Sequence, residues 1–253
     1  MAFSDFDPGV TSGPGTIIEP FEDGRPVVVA REETPRGSVA LRRRRDPLHG
    51  EVYELIVNGA FVMDTLETST ERLLAESALA YARVAPRTVV VGGLGLGFTV
   101  RELLADERIE HLHVVELEPA VIEWVRAGVV PATAGVLDDV RVQTHLADVR
   151  HWLPARPAAS ADVIMLDVDN GPDFLVHLAN SEVYETPFLA AVKETLRLGG
   201  VLAVWSAARA TALAERLERT FGTCREVHRT IPRESRELDY FLYVATSTGS
   251  MPS

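Results

Sequence analysis

From Thr88 to Phe221 the chain switches its hydrophobic period repeatedly. The runs "TVVV" (88–91), "LHVVEL" (112–117), "VRVQTH" (140–145), "ADVIMLDVD" (161–169) and "VLAVWSA" (201–207) read as buried strands. Between them, "FTVRELLAD", "AVIEWVRAG", "LADVRHWL", "SEVYETPFLAAVKETLRL" and "ATALAERLERTF" place apolar residues at helical spacing. Pro119 suits a first helical turn, and Gly199-Gly200 and Gly222 suit helix ends. Strands alternating with helices demand a mostly parallel sheet covered on both faces. The tail runs "CREVHRTIP" and "LDYFLYVATS" are joined by a short polar turn, so they pair antiparallel. The expected architecture is α/β: a doubly wound, mostly parallel, seven-stranded sheet of Rossmann-like type.

The first quarter of the chain follows another rule. Residues 1–15 are rich in Gly, Pro, Ser and Asp and read as a loose arm. "RPVVVA", "GSVALR" and "VYELIVNGAFVMD" are short strands, with Asn58-Gly59 a hairpin turn. They predict a small antiparallel β appendage over 16–66, followed by the main domain over 67–248 and a tail at 249–253. "LETSTERLLAESALAYARV" reads as a helix capped by Thr68, Ser69 or Thr70 and stopped by Pro86. The basic run Arg42–Arg45 fits a solvated strand and turn edge.

The formal net charge of −12 argues against a nucleic-acid partner and permits a cationic substrate. A single cysteine, Cys224, excludes a disulfide framework and a thiolate metal cluster. The start "MAFSDFDPGVTSGPG" carries no signal-peptide core, and no stretch has the length of a membrane span. The expectation is a cytoplasmic protein without a membrane partner.

"VVVGGLGLGF" (89–98) closes the first parallel strand on a glycine-rich turn. The dinucleotide fingerprint fails, because Phe98 or Val100 stands where its third glycine belongs. The phosphate loop fails as well: Gly92 and Gly97 have its spacing, but Phe98 occupies the lysine position. What remains is Gly93-x-Gly95-x-Gly97, a turn that brings backbone close to a ligand needing no phosphate. Glu116 closes the second parallel strand, where a carboxylate accepts hydrogen bonds from ribose hydroxyls. Asp148 follows the third strand and is placed to meet an adenine amino group; Asp167 closes the fourth. In a doubly wound sheet these strand ends share one edge, where ligands bind.

With those residues, the sequence resembles the class I S-adenosylmethionine-dependent transferase fold, and more closely the spermidine synthase (polyamine aminopropyltransferase) family. The likeness is carried by "VVVGGLGLGFTVRELL", "HVVELEPAVIEW", "DDVRVQTHLADVRHWL", "DVIMLDVDNGP" and "LRLGGVLAVWS". It implies that Gly93, Gly95 and Gly97 wrap the aliphatic tail of S-adenosylmethionine or its decarboxylated form. Glu116 then binds ribose, and Asp148 with Val149 meets adenine. Asp167 matches the first acid of the family's D-x-x-D motif, the group that orients an attacking amine and takes its proton. Asp169, Asn170 and Tyr184 become candidate substrate contacts. Methylthioadenosine or S-adenosylhomocysteine is the implied product, the partner is a small cationic amine, no metal is implied, and a homodimer is expected.

Departures from the family pattern are visible. The second acid of D-x-x-D falls on Asn170 beside Asp169, and the cofactor-contacting glutamine falls on Val62. These keep two alternatives open: a small-molecule methyltransferase, and a non-catalytic binding protein. His111 and His113 alternate on a strand and read as a packed or edge pair; His177 lies near the active edge.

Overall fold

The structure, a computed structural model, describes residues 25–168, 171, 172, 175, 178–233 and 236–247. The N-terminal arm, Asp169, Asn170 and His177 lie outside the described residues. Strands β1 (Val27–Thr34), β2 (Gly37–Asp46), β3 (Gly50–Val57) and β4 (Ala60–Asp64) form an antiparallel sheet in chain order. Val57 pairs with Ala60, leaving Asn58-Gly59 as a two-residue turn with positive φ at both positions. That conformation matches the twist of the flanking strands and accounts for the Asn-Gly pair.

The arginine run does not lie at an edge. It sits in β2, hydrogen-bonded to β1 on one side and β3 on the other. Arg42 and Arg44 both pair with Glu54 of β3, at 2.9 Å each. Cross-strand carboxylates, rather than solvent alone, balance the run's charge.

Helix α1 (Ser69–Tyr81) leads into the second sheet. Its first turn is capped by neither Thr68 nor a hydroxyl of 69 or 70. Glu67 Oε1 accepts the Ser69 N–H at 2.8 Å instead. The helix stops at Tyr81, before Pro86, as Ala82 turns extended.

The second sheet is built from β5 (Thr88–Gly92), β6 (His111–Glu116), β7 (Val142–Leu146), β8 (Ala161–Leu166), β9 (Leu196–Ser206), β10 (Cys224–Arg233) and β11 (Arg236–Thr246). Their spatial order is β10-β11-β9-β8-β5-β6-β7. The β5–β9 pairings are parallel, and β11 pairs antiparallel with both β9 and β10. Helices α2 (Phe98–Leu104), α3 (Pro119–Arg126), α4 (Val149–Trp152), α5 (Thr186–Thr195) and α6 (Thr211–Phe221) make the crossovers. The chain steps outward from β5 in one direction through β6 and β7, then in the other through β8 and β9. β5 and β8 therefore flank a switch point, where a crevice opens at the carboxyl ends of the strands.

Alternation along the central strands divides the interior into two cores. Val89, Val91, Val163 and Met165 face one core with Leu74 and Ala78 of α1, and the small sheet's Leu41, Leu55 and Val57 join it. Val90, Ile164 and Leu166 face the other, with Leu189 of α5 and Leu213 and Leu217 of α6.

One boundary differs from the sequence expectation. The helix expected to end at Gly199-Gly200 is instead a 3₁₀ segment, Leu178–Tyr184, followed by α5 ending at Thr195. Residues 196–198 already belong to β9, and Gly199, at φ +82°, sits where the β8–β9 register shifts. The glycine pair serves a strand irregularity rather than a helix cap. A Cβ on Gly200 would lie 2.8 Å from the Asp162 carbonyl oxygen. Among the described residues, no helix is long and apolar enough to cross a membrane.

Candidate active site

The glycine turn after β5 is held against neighbouring backbone. Gly93 has φ +95°, and a Cβ there would stand 2.0 Å from the Asp167 carbonyl oxygen. Gly95 has φ +52°, and its Cβ would meet Met63 Sδ at 2.7 Å. The Leu96 N–H donates to that same sulfur at 3.3 Å. Gly93 and Gly95 line a cavity. Gly97 does another job: at φ +88° it opens α2 and packs against Val125, Val136 and Thr133.

The cavity lies over the carboxyl ends of β5, β6 and β8, and the turn after β7, and gathers Glu116, Glu118, Asp148, Val149 and Asp167. Glu116 Oε2 accepts the Leu94 N–H at 2.9 Å, and Oε1 accepts the Glu118 N–H at 2.8 Å. One carboxylate thus ties the glycine turn to the start of α3. Burial pushes the Glu116 carboxyl up, against the pull of those N–H donors. Glu118 is buried and bridged by Arg36 from the β1–β2 turn. Asp148 caps α4 by accepting the Arg150 N–H at 2.9 Å. Burial pushes its carboxyl up, but the Arg150 guanidinium outweighs that and holds it below the usual range. Val115, Val121 and Val149 supply apolar wall.

Asp167 stands at the centre. Its backbone N–H donates to the Gly92 carbonyl at 2.8 Å, which fixes the strand end beside the glycine turn. Burial, and then the charge of Glu71, push the Asp167 carboxyl up to about 7. Glu71 of α1 lines the same cavity and is 8% exposed. Burial raises it too, and the Thr70 hydroxyl donates to its Oε2 at 2.7 Å.

A second cavity shares Val62, Met63, Glu71 and Trp205 with the first and adds Phe61, Asp64, Glu67, Thr70, Ala207, Leu238 and Tyr240. Among the described residues, no lysine, arginine or histidine lines either cavity. Arg36 and Arg150 pair with Glu118 and Asp148 from outside the lining, so the cavity walls themselves present an excess of acids, which suits a positively charged ligand and opposes a phosphate. The cramped glycines leave room for ligand against bare backbone. Both observations fit an adenosyl sulfonium in this site.

Of the residues singled out from sequence, Gly93, Gly95, Glu116, Asp148, Val149 and Asp167 come together here. Tyr184 does not line either cavity: it is 2% exposed in the core beneath α5 and α6. Sequence reasoning missed Glu71, Met63, Glu118, Asn180 and Trp205 as cavity residues. Trp205 obeys the strand-end rule that found Asp167, because it lies near the end of β9. Glu71 lies on a helix that precedes the sheet, where no strand-end argument reaches. His113 and His145 pack against Trp152, with Nδ1 and Nε2 3.1 Å apart. His111 is exposed and not part of that group. Burial pushes the Cys224 thiol up to about 12, which makes it inert at neutral pH.

The spermine/spermidine synthase domain model matches residues 67–229. A polyamine aminopropyltransferase of Mycobacterium tuberculosis is 33% identical over 183 residues, covering 71% of this chain and 32% of that protein. Putrescine N-methyltransferase 4 of Nicotiana tabacum is 33% identical over 119 residues, or 46% of this chain and 29% of that protein. The chain thus spans about a third of the length of these curated relatives. A spermidine synthase solved with the transition state analogue AdoDATO superposes with TM-score 0.72 at 19% identity, over 87% of this chain and 73% of that one. The spermidine synthase of Thermotoga maritima gives 0.70 at 19% identity, over 87% and 72%. At that identity the likeness shows the fold. The family model covers well over half of the sequence, and the chain belongs to the spermine/spermidine synthase domain family.

Proposed function

We propose that this chain is a transferase that binds an adenosyl sulfonium and passes its aminopropyl group to an amine. The observation that carries the reading is the acid-lined cavity at the β5–β8 switch point, which no described basic residue lines. In this reading Gly93 and Gly95 admit the donor's aliphatic tail against bare backbone. Glu116 keeps acceptor capacity beyond the N–H groups of Leu94, Leu117 and Glu118, and this accepts the ribose hydroxyls. Asp148 and Val149 flank the adenine. When bound, the donor, decarboxylated S-adenosylmethionine, supplies an electrophilic carbon beside a positively charged sulfur.

The remaining work falls to Asp167. An alkylamine arrives protonated, and only the neutral amine attacks. A carboxyl held near 7 accepts that proton at neutral pH and orients the freed lone pair. The carboxylates around it favour the cationic reactants and exclude anions. Putrescine, named by the N-methyltransferase relatives, is the first acceptor to test.

The experiment incubates the full chain with putrescine and, separately, decarboxylated and intact S-adenosylmethionine, and identifies the released thioether by mass spectrometry. Methylthioadenosine from the decarboxylated donor supports aminopropyl transfer. S-adenosylhomocysteine from the intact donor supports the second reading, methyl transfer, which the likeness to putrescine N-methyltransferases favours. Release of neither contradicts the transferase reading.

A further inference from the structure

Three carboxylates lie along the second cavity, and they are not equivalent. Asp64 Oδ1 accepts the N–H groups of Leu66 and Glu67 at 3.1 Å each. Glu67 Oε1 accepts the Ser69 N–H at the start of α1. Both are taken up in building the turn from β4 into the helix. Glu71 is different. It lies one helical turn further on, is 8% exposed, and lines both cavities. Among the described residues, no other acid is shared between them. Its side-chain donor is the hydroxyl of its neighbour Thr70, which leaves acceptor positions on the carboxylate for a ligand.

Asp167 lines the first cavity only, and Trp205 and Val62 wall the junction beside Glu71. An acceptor that arrives through the second cavity must pass Glu71 before it meets Asp167. The apolar walls suit a methylene chain, and the acids suit its ammonium groups.

We infer that Glu71 is the second acceptor-binding carboxylate of this site: from helix α1 it holds an ammonium group of an aliphatic diamine that enters through the second cavity and presents its amine to Asp167. The inference rests on the transferase reading above and adds the acceptor's binding residue and its route. It gives α1 a role that the sequence motif after β8 does not supply, since Asn170 stands at the second acid position there. The neighbouring titratable groups facing Glu71 are Glu67 and Asp64 on the chain before it and Asp167 across the cavity. All are acidic, so charge at Glu71 is relieved by an incoming cation.

The test is calorimetric titration of putrescine into the full chain saturated with methylthioadenosine, for the parent, Glu71→Gln and Glu71→Asp. Methylthioadenosine affinity is measured first for each and is expected to stay within about threefold, which also reports folding. Putrescine binding is expected to weaken by about 30-fold in Glu71→Gln, the loss of one charge-assisted hydrogen bond. Glu71→Asp, which keeps the charge, recovers part of that loss. Putrescine binding within threefold of the parent in Glu71→Gln, or no putrescine binding by the parent, overturns the assignment of Glu71. A parent that fails to bind methylthioadenosine overturns the transferase reading itself, and the assignment with it.

Discussion

Arg36 Nε lies 2.7 Å from Glu118 Oε1, and Arg36 Nη2 reaches Glu118 Oε2 at 3.2 Å and the Leu117 carbonyl oxygen at 2.9 Å. A guanidinium from the tip of the β1–β2 turn thus clamps the loop between β6 and α3. That loop directly follows Glu116, the carboxylate that ties down the glycine turn. The small N-terminal sheet is therefore wired to the cavity by one bidentate pair as well as by the shared apolar core. Glu118 is buried while Arg36 is about a third exposed, so water screens part of the interaction.

Replacing Arg36 with Met removes a bidentate guanidinium from the buried Glu118 carboxylate. We expect a loss of about 1–2 kcal/mol in unfolding free energy, less than for a fully buried pair. Urea denaturation checks it. Glu118→Gln in the same background should restore part of the loss, because it removes a buried charge that has lost that guanidinium.

Gly93→Ala tests the glycine turn. The new Cβ would meet the Asp167 carbonyl oxygen, a backbone atom that a rotamer change does not move, and φ +95° is strained for any L side chain. Methylthioadenosine binding is expected to fall by at least about tenfold, since even ~1.4 kcal/mol of displacement does that. Gly50→Ala is the control: φ is again positive, at +79°, but a Cβ there meets nothing within 4 Å. It should cost some stability and leave ligand affinity unchanged.

The raised carboxyl of Asp167 makes stability depend on pH with a definite sign. Unfolded, it titrates near 3.9; folded, at about 7. Between those values the folded chain holds the extra proton. Its contribution is fully present below about pH 4 and is lost as pH rises through 7, with a slope of at most about 1.4 kcal/mol per unit. Asp167→Asn removes this slope, while Glu71 and Glu116, both raised, keep theirs of the same sign. The difference in unfolding free energy between parent and variant should therefore move against the parent across that window. A pH-independent difference contradicts the assigned environment.

Much of this fold was legible because each of the strands β5 to β9 announces itself twice, by an apolar run and by a helix-periodic segment after it. The strand ends then placed Gly93, Glu116, Asp148 and Asp167 on one edge from topology alone. What escaped depends on distant packing. Arg36 and Glu118 are 82 positions apart, and no local pattern couples them. Glu71 looks like one more acid on an amphipathic helix until α1 is laid against the carboxyl edge of the sheet. Gly199 carries the same residue signal for a helix cap and for a strand irregularity, and the pairing of β8 with β9 decides between them. Tyr184 suits both a substrate contact and a helix-to-sheet packing aromatic by its position in the sequence, and the 3₁₀ segment places it in the core with residues of α5 and α6.

The central claim is that this cavity holds an adenosyl thioether through Glu116. Titration of methylthioadenosine into the full chain and into Glu116→Gln tests it directly. Saturable one-to-one binding is expected for the parent, weakened by about tenfold or more in the variant, whose neutral amide accepts the ribose hydroxyls less strongly. Equal affinity in both proteins, or no binding by the parent, would contradict it.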